Sequence, residues 1–261
     1  MIKFINNIDL DLERRDFTIN ALAYNEYTGL KDPYDGIHDI KNKVVRFVGN
    51  PKLRIEEDSL RIMRAFRFIS KLGFELDRKA SEAIYEKRKF LNKISKERIY
   101  NEIKEILLGK NAKKALMEMK RLGILELIIP EFKYSYNLYV GNENLFNKII
   151  RTVHFSDNDL VTRLSALFYN LGKVNTETID AKGIISYEGY EKESALIAEN
   201  QLKFLKASNE IINSVKKIVR NFILLYEKPT KKELKKLILD FGDINLKRLF
   251  SLMEADLKAR K

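Results

Sequence analysis

Amphipathic helical segments cover most of this chain, and they constrain its fold more than any other feature. From about residue 54 onward, apolar residues recur at spacings of three and four, which is the period of one face of an α-helix. Only four prolines occur in 261 residues, so few positions can interrupt these segments. Helices are predicted near residues 56–72, 78–87, 95–108, 111–122, 145–153, 159–171, 190–205, 208–226, 230–240 and 245–257. Three glycines fall at predicted helix ends: Gly73, Gly109 and Gly123.

The first fifty residues have a different pattern. Residues 16–25 (DFTINALAYN) fit a short helix or a strand equally well, and the stretches TGL and DPYDG are typical of turns. The run VVRFVGNP predicts a β-strand that ends at the glycine, asparagine and proline. This segment is too short to close a sheet of its own, and an unpaired edge favours a partner chain or a dimer. The sequence therefore predicts an α+β fold that is mostly α, with a division near residue 50.

The net charge of +12 and the pI near 9.5 point to a polyanionic partner, and RNA or DNA fits better than a membrane. The alternative is a lysine-rich composition inherited from an AT-rich genome. There is no cysteine, so disulfides, thiolate metal sites and a cysteine nucleophile are excluded, and only two histidines are present. No stretch has the length of a membrane span and no signal-peptide pattern is seen, so we expect a cytoplasmic protein.

The run RIEEDSLRIMRAFRF, residues 54–68, concentrates charged side chains on a predicted helix. Asp58, Arg61, Arg64 and Arg67 are spaced three apart, so each is a surface neighbour of the next. A carboxylate beside a guanidinium suits the hydrogen-bonding edge of a nucleobase, and further arginines suit phosphates. A solvated, salt-bridged helix face explains the run equally well.

The triplet Arg14-Arg15-Asp16 places two cations and a carboxylate at a predicted element boundary. A guanidinium there can clamp a triphosphate, and a carboxylate can accept a hydrogen bond from a ribose hydroxyl. Alone, such a triplet is more often a surface ion pair. Its order and spacing before Asp58 and Arg61 are much more specific.

Taken together, these residues resemble the class II tRNA nucleotidyltransferases, a family that also includes bacterial poly(A) polymerases. The family pattern of RRDFTINA, then DP-Y-G-DL, then R-x-x-ED-x-LR-x-x-RA-x-RF appears here almost unbroken. The segments SKERIYNEIKEILL and LMEMKRLGILELIIPEF look like the family's neck helices. The resemblance implies that 1–50 is the end of a nucleotidyltransferase head, 51–130 a neck that selects the nucleotide and binds RNA, and 131–261 a helical body. The matching residues are Arg14, Arg15, Asp16, Asp32, Pro33, Gly36, Asp39, Gly49, Arg54, Glu57, Asp58, Arg61, Arg64 and Arg67.

The resemblance also implies a division of labour among nucleotide-binding residues. Asp58 and Arg61 would match the base edge of incoming CTP or ATP. The nucleotide, chiefly its phosphates, would be contacted by Arg15, Arg64 and Arg67, and Asp16 would contact the ribose. The implied reaction adds CMP and AMP to an RNA 3′ end, as in maturation of the tRNA CCA end, so the expected partner is tRNA or another RNA 3′ end.

One departure from the family pattern concerns the catalytic metal site. In the family, two carboxylates in a D-x-D segment follow a GG-x-x-RD loop and hold the metal ions. Here Asp9 and Asp11 spell D-x-D, but no glycine-rich loop precedes them, and acidic residues at a helix start are the favoured interpretation. We therefore expect no catalytic residue and no metal ligand in this chain, so that magnesium is needed only with the missing segment. Either a second chain supplies that segment, or this chain is an inactive remnant or a non-catalytic RNA-binding module.

A second departure lies in the region 163–195, which resembles HD-type phosphohydrolase domains. The expected His-Asp pair is replaced by Tyr169-Asn170, and Gly189-Tyr190 stands where a histidine is expected. A later histidine is missing near Asn221. Tyrosine is not a usable metal ligand here and an amide binds metals poorly. We expect a degenerate HD-like body with a structural or RNA-contacting role, and phosphohydrolase activity is the weakest of the hypotheses.

Overall fold

The computed structural model describes residues 7–226 and 230–260 and separates the chain into two compact units, the first ending at Ile124 and the second beginning at Leu125. The first unit contains seven helices, four short strands and two 3-10 turns in its described residues. They are α1 Ile8–Glu13, 3-10 turn Thr18–Asn20, β1 Ala23–Asn25, β2 Gly29–Lys31, α2 Gly36–Asn42, β3 Val44–Val45, α3 Pro51–Glu57, α4 Arg61–Leu72, β4 Glu75–Leu76, α5 Arg78–Lys87, 3-10 turn Arg88–Lys93, α6 Lys96–Leu108 and α7 Ala112–Arg121.

The segment predicted as one helix over 56–72 forms two helices. Helix α3 begins at Pro51, where the Asn50 side chain accepts hydrogen bonds from the next amides, and it ends at Glu57. Asp58 then adopts an extended conformation, with φ −147° and ψ 101°, and its Oδ1 accepts from the Leu60 amide at 3.2 Å. The prediction that Asp58 shares a helix with the arginines that follow was wrong, because this local side-chain hydrogen bond competes with the helical one.

The strands of the first unit are short and pair only locally. β1 and β2 form an antiparallel hairpin, and β3 pairs in parallel with β4. Residues 16–25, which fitted a helix or a strand equally well, contain both a 3-10 turn and β1. The strand predicted from VVRFVGNP is confirmed only at Val44–Val45, followed by an isolated bridge between Phe17 and Phe47. The α+β, mostly α fold class is confirmed.

Helix α4 forms the centre of the first unit's core and packs against α6 and α7. Its apolar face is buried, including Ile62, Met63 and Phe66, whose burial stabilises each by about 1.5–3 kcal/mol. The ends of α4 and α6 approach closely, because a Cβ on Gly109 would lie 2.1 Å from Ser70 Oγ. This packing leaves the first turns of α4 beside the loop that follows α1.

The second unit is built around α11, in which every residue from 161 to 168 is buried. Helices α10, α13, α14 and α15 all pack against it. Long helix α15 is interrupted at Gly242, whose φ of +65° favours glycine, in agreement with the two helices predicted at 230–240 and 245–257. The elements are α8 Leu125–Ile128, α9 Phe132–Ser135, β5 Tyr139–Val140, β6 Glu143–Asn144, α10 Leu145–Phe155, α11 Leu160–Phe168, α12 Lys173–Thr176, β7 Thr178–Ile179, β8 Ile185–Ser186, α13 Tyr190–Phe204, α14 Asn209–Asn221, 3-10 turn Phe222–Leu225 and α15 Lys231–Ala259.

Within the residues that the structure describes, no helix is both long enough and apolar enough to cross a lipid bilayer.

Candidate functional site: an arginine-rich pocket

A small polar pocket of ≈ 240 Å³ lies in the first unit between the loop after α1 and the start of α4. We call it the arginine pocket. Its lining brings together five of the six predicted site residues, from two segments that are distant in sequence, and leaves out Arg67. The lining residues are Arg14, Arg15, Asp16, Asn20, Asp58, Arg61 and Arg64.

Guanidinium groups tie the two segments together through backbone carbonyls. Arg54 Nη2 donates to the Arg15 carbonyl at 2.6 Å, and Arg61 Nη2 donates to the Arg14 carbonyl at 3.1 Å. Arg61 Nη1 also donates to the Arg54 carbonyl at 2.8 Å. Two of these bonds join the α3–α4 region to the loop after α1, and the third joins α4 to α3. They therefore hold the walls of the pocket together.

Asp16 anchors the floor of the arginine pocket. Its side chain is buried, at 5 % exposure, and Arg64 Nε donates to Oδ2. Asn20 Nδ2 donates to the other oxygen, Oδ1, at 2.7 Å. A buried carboxylate needs such donors, since an unpaired one would be costly. Asp16 therefore holds the side chain of Arg64 at the pocket and is itself held by Asn20.

Asp58 and Arg61 face the same pocket but are held by different partners. The Asp58 carboxylate is 38 % exposed and is approached by Arg98 Nη2 at 3.3 and 3.4 Å. The Arg61 side chain is only 13 % exposed, and its Nη1 donates to Glu57 Oε2 at 2.7 Å. The Asp58 oxygens therefore remain accessible to a ligand, whereas Arg61 is partly engaged by its own chain.

Arg67 lies one turn further along α4 and turns toward α6. Its Nη1 donates to Glu102 Oε1 at 3.1 Å, and its guanidinium lies 5.5 Å from the Phe68 ring centroid. Burial raises the pKa of Glu102, and the charge of Arg67 opposes that rise. Glu102 Oε2 has no hydrogen-bond partner among the described groups. The structure thus places Arg67 at the contact between α4 and α6.

Two residues at this site were missed by the sequence reasoning, Asn20 and Arg98. Asn20 follows Asp16 by four residues within the quoted motif, so a capping-type spacing could have indicated it. Arg98 lies 40 residues from Asp58 on a separate helix, and no local pattern connects the two. Long-range pairs of this kind depend on how α6 packs.

The carboxylates present do not fit the metal site that the family pattern implies. Asp9 accepts from Lys31 Nζ at 2.7 Å, and Asp11 accepts from Arg14 at 2.6 Å and Arg15 at 3.0 Å. The hydrogen bonds from Arg14 and Arg15 lower the pKa of Asp11. Across residues 7–226 and 230–260, no three His, Cys, Asp or Glu side chains converge as metal ligands would. No chemical step is therefore assigned to a metal held by these residues.

In the second unit, the Tyr169-Asn170 pair lies at the end of α11 and is buried. The Tyr169 hydroxyl donates to Asp256 Oδ1 at 2.7 Å and lies 2.9 Å from Thr152 Oγ1. Burial and the charge of Asp256 raise the pKa of Tyr169, so its hydroxyl stays protonated. The position that resembles an HD pair therefore carries a neutral hydrogen-bond donor.

Two family models match parts of the chain. The model described as the poly A polymerase head domain matches residues 1–46, and the model described as the probable RNA and SrmB-binding site of polymerase A matches residues 73–135. The chain is 44% identical over 125 residues to a CCA-adding enzyme of Lactobacillus delbrueckii subsp. bulgaricus, which covers 48% of this chain and 32% of that enzyme. A CCA-adding enzyme of Bacillus velezensis is 42% identical over 125 residues, with the same shares. The chain thus spans about a third of the length of these curated relatives.

Solved structures extend the likeness to nearly the whole chain. The Bacillus stearothermophilus CCA-adding enzyme in complex with CTP superposes with a TM-score of 0.68 at 26% identity, covering 99% of this chain and 56% of that one. The Thermotoga maritima CCA-adding enzyme complexed with tRNA shares the fold, with a TM-score of 0.59 at 19% identity over 97% of this chain and 61% of that one. On the two family models, the identity to CCA-adding enzymes and this shared architecture, the chain is similar to class II tRNA nucleotidyltransferases and bacterial poly(A) polymerases.

Proposed function

We propose that this chain carries the nucleotide-selecting and RNA-binding parts of a tRNA nucleotidyltransferase that adds CMP and AMP to RNA 3′ ends. The observation that carries the proposal is the convergence of Asp58 and Arg61 with Arg15, Asp16 and Arg64 in one pocket. The similarity to CCA-adding enzymes, one of them solved with CTP, supports the same assignment.

In this proposal Asp58 and Arg61 read the base. The exposed Asp58 oxygens can accept from the exocyclic amino group that cytosine and adenine share, and Arg61 can donate to the neighbouring ring acceptor. Guanine and uracil present a carbonyl where that amino group stands, so a carboxylate there disfavours them. For Arg61 to donate to a base, it gives up part of its bond to Glu57, so the base competes with an intramolecular acceptor.

The phosphates and the ribose are assigned to the other pocket residues. Arg15 and Arg64 provide guanidinium donors, which suit phosphate oxygens. Asp16 retains lone pairs beyond those used by its three donors, so a ribose hydroxyl can donate to it. Arg67 is a phosphate contact in this scheme only when its pair with Glu102 opens.

The proposed reaction needs magnesium ions, and the carboxylates that bind them are not assigned to any of the described residues. A D-x-D segment elsewhere, on this polypeptide or on a second one, would hold the ions that promote phosphoryl transfer. The residues described here bind and orient the nucleotide and the RNA in a cytoplasmic enzyme.

Nucleotide choice is the direct test of the arginine pocket. Equilibrium binding of CTP, ATP, GTP and UTP is measured for the wild type, Asp58→Ala and Arg61→Ala, with tRNA affinity measured separately. Each substitution should reduce the preference for CTP and ATP by about tenfold, the effect of losing one charge-assisted hydrogen bond, while tRNA affinity is retained. The matched control is Arg78→Ala, an exposed arginine paired with Glu82 on α5.

An unchanged preference in both pocket variants, with tRNA affinity lost instead, would overturn the assignment of the base-reading pair. The second candidate function is a non-catalytic RNA-binding module, which the net charge of +12 favours. Incubation with tRNA lacking its CCA end, magnesium and labelled CTP or ATP, with and without a polypeptide that supplies a D-x-D segment, separates the two. Incorporation only with the added polypeptide supports the transferase, and RNA binding without incorporation in either case supports the module.

A further inference from the structure

Two cations contact one buried carboxylate in the second unit, and a third lies within its electrostatic influence. Asp256 on α15 is 1 % exposed, and Arg260 Nη2 donates to its Oδ2 at 2.6 Å. Lys148 on α10 places Nζ 3.5 Å from Oδ1. Lys173, at the start of α12, is the third cation. These three residues, Lys148, Lys173 and Arg260, are called the cation cluster.

The Asp256 carboxylate is fully paired without a contribution from Lys173. Besides Arg260 and Lys148, it accepts hydrogen bonds from the Tyr169 hydroxyl at 2.7 Å and the Tyr226 hydroxyl at 2.9 Å. Its two oxygens are therefore supplied with neutral and charged donors from four helical segments. Because Lys148 and Arg260 together already exceed its single negative charge, Lys173 adds positive charge that Asp256 does not neutralise.

Lys173 has aromatic neighbours in place of a carboxylate. Its Nζ lies 4.6 Å from the Tyr190 ring centroid and 5.3 Å from that of Tyr187. Across the part of the chain that the structure describes, no carboxylate oxygen lies within ion-pair distance of this Nζ. Its position is fixed by the preceding residue, since the Gly172 amide donates to Ser194 Oγ at 2.8 Å and a Cβ at Gly172 would collide with α13.

The pKa of Lys173 is consistent with an excess of positive charge in the cation cluster. Burial and the charges of Lys148 and Arg260 lower the pKa of Lys173 to about 8, although Asp256 opposes the change. A lysine in this state gains from any added negative charge nearby. The tyrosines that flank it, Tyr187 and Tyr190, also line an open pocket of ≈ 590 Å³.

We propose that the cation cluster binds a small phosphate dianion, either inorganic phosphate or the terminal phosphate of a small molecule, with Lys173 as its principal ligand. An ammonium group acts as a point charge toward phosphate, and Arg260 adds planar guanidinium donors. The half-buried position of Lys173 favours a compact anion over the backbone of a polynucleotide. This site lies wholly in the second unit and does not depend on the function proposed for the arginine pocket.

Protection of Lys173 from acetylation tests the site directly. The full chain is treated with an acetylating reagent near pH 8, with sodium phosphate or with sodium chloride at matched ionic strength, and each lysine is followed by peptide mass spectrometry. Phosphate should slow acetylation of Lys173 several-fold, because binding keeps its amine protonated and covered. Lys182, an exposed lysine in the β7–β8 hairpin, should react at the same rate in both salts.

Binding of labelled inorganic phosphate to the variants provides the second arm. Lys173→Met should weaken the phosphate affinity of this site about tenfold, as for loss of one charge-assisted contact, whereas Lys182→Met makes the same charge change and should have no effect. Lys173→Met removes a half-buried charge, so it is expected to fold, and circular dichroism checks this. Arg64→Met, in the arginine pocket, should leave the protection of Lys173 unchanged.

Equal acetylation of Lys173 in phosphate and chloride would overturn the proposal, as would equal phosphate affinity in the two lysine variants. Two further ligands identify the chemistry. Phenyl phosphate, a monoester, should protect Lys173 as phosphate does. Stronger protection by a short oligonucleotide without terminal phosphates would overturn the small-anion assignment in favour of an RNA backbone. These results at Lys173 do not depend on whether the arginine pocket selects nucleotides, so the two proposals can fail separately.

Discussion

Asp16 shows how a single buried carboxylate organises several side chains around it. Arg64 and Asn20 donate to its two oxygens, and its own chain contributes the Phe17 amide at 3.1 Å. Loss of one donor from such a group costs more than the bond itself is worth, because the remaining charge stays desolvated. Arg64 therefore has a structural role in addition to any contact with a ligand.

Arg64→Met should lower the free energy of unfolding of the first unit by about 1–3 kcal/mol, since Asp16 loses its charged donor. Urea unfolding followed by circular dichroism measures the change. Arg78→Met serves as the control, because Arg78 is exposed and its pair with Glu82 is worth little. Identical unfolding midpoints for the two variants would show that Asp16 is satisfied without Arg64.

Lys173 makes stability depend on pH in a direction that can be worked out. Its pKa of about 8 in the folded chain lies below the ordinary value of 10.5, so between these values the unfolded chain binds more protons. Stability therefore rises with pH through this window, and below pH 8 the full cost of the buried charge is present.

From pH 8 to about pH 9.5, the wild type should gain about 1 kcal/mol of unfolding free energy relative to Lys173→Met. Denaturant unfolding of both proteins at several pH values gives the difference. The range stops there because tyrosines in the unfolded chain titrate near pH 10. A difference that stays constant across the range would contradict a depressed pKa at Lys173.

Helices with a long apolar repeat could be predicted from the sequence. Breaks and short strands, which depend on single hydrogen bonds or on distant contacts, could not. Helices α6, α13 and the two parts of α15 follow their periodic patterns closely. The break at Asp58 was missed, because an acidic side chain bonded to the next amides leaves the apolar pattern unchanged. The two-residue strands are too short for any alternation to appear.

The candidate site was predictable to the extent that its residues share short motifs. Arg15, Asp16, Asp58, Arg61 and Arg64 were named from sequence and do line one pocket, although their individual roles stay predictions. The contacts that orient them could not be foreseen. Arg98 reaches Asp58 only because α6 packs against α4, and this packing is decided by side-chain shape across many residues.

The close approach of α4 and α6 leads to a prediction at the level of these elements. Gly109→Ala should lower the free energy of unfolding by about 1–3 kcal/mol, because its methyl group collides with Ser70 and the helices must separate. Thermal unfolding measures the loss, and Lys110→Ala, at the exposed neighbouring position, is the control. A Gly109→Ala protein as stable as the control would show that this joint can relax.

At the scale of the whole molecule, the two compact units meet in sequence at residues 124–125. The functional division into head at 1–50, neck at 51–130 and body at 131–261 stays a prediction. Arginine and lysine outnumber acidic residues in the chain, 49 to 37, and this excess of positive charge favours the RNA partner of the proposed function.

RNA affinity should fall steeply with added salt, because phosphates bound by lysine and arginine release their counterions. The dissociation constant for tRNA is measured by filter binding between about 50 and 200 mM salt, where several phosphate contacts predict a loss of about a hundredfold or more. Neutral-polymer crowding at constant salt controls for non-specific effects. An affinity that barely changes over this range would show that the positive charge does not serve RNA binding.

The extended residue between α3 and α4 has a mechanical consequence. Asp58 belongs to neither helix, although its amide donates to the Arg54 carbonyl at 3.3 Å and its carbonyl accepts from the Arg61 amide at 3.0 Å. Arg61, by contrast, begins a rigid twelve-residue helix. In the proposed base-reading pair, the spacing between the Asp58 acceptor and the Arg61 donor therefore depends on the angle at which the two helices meet.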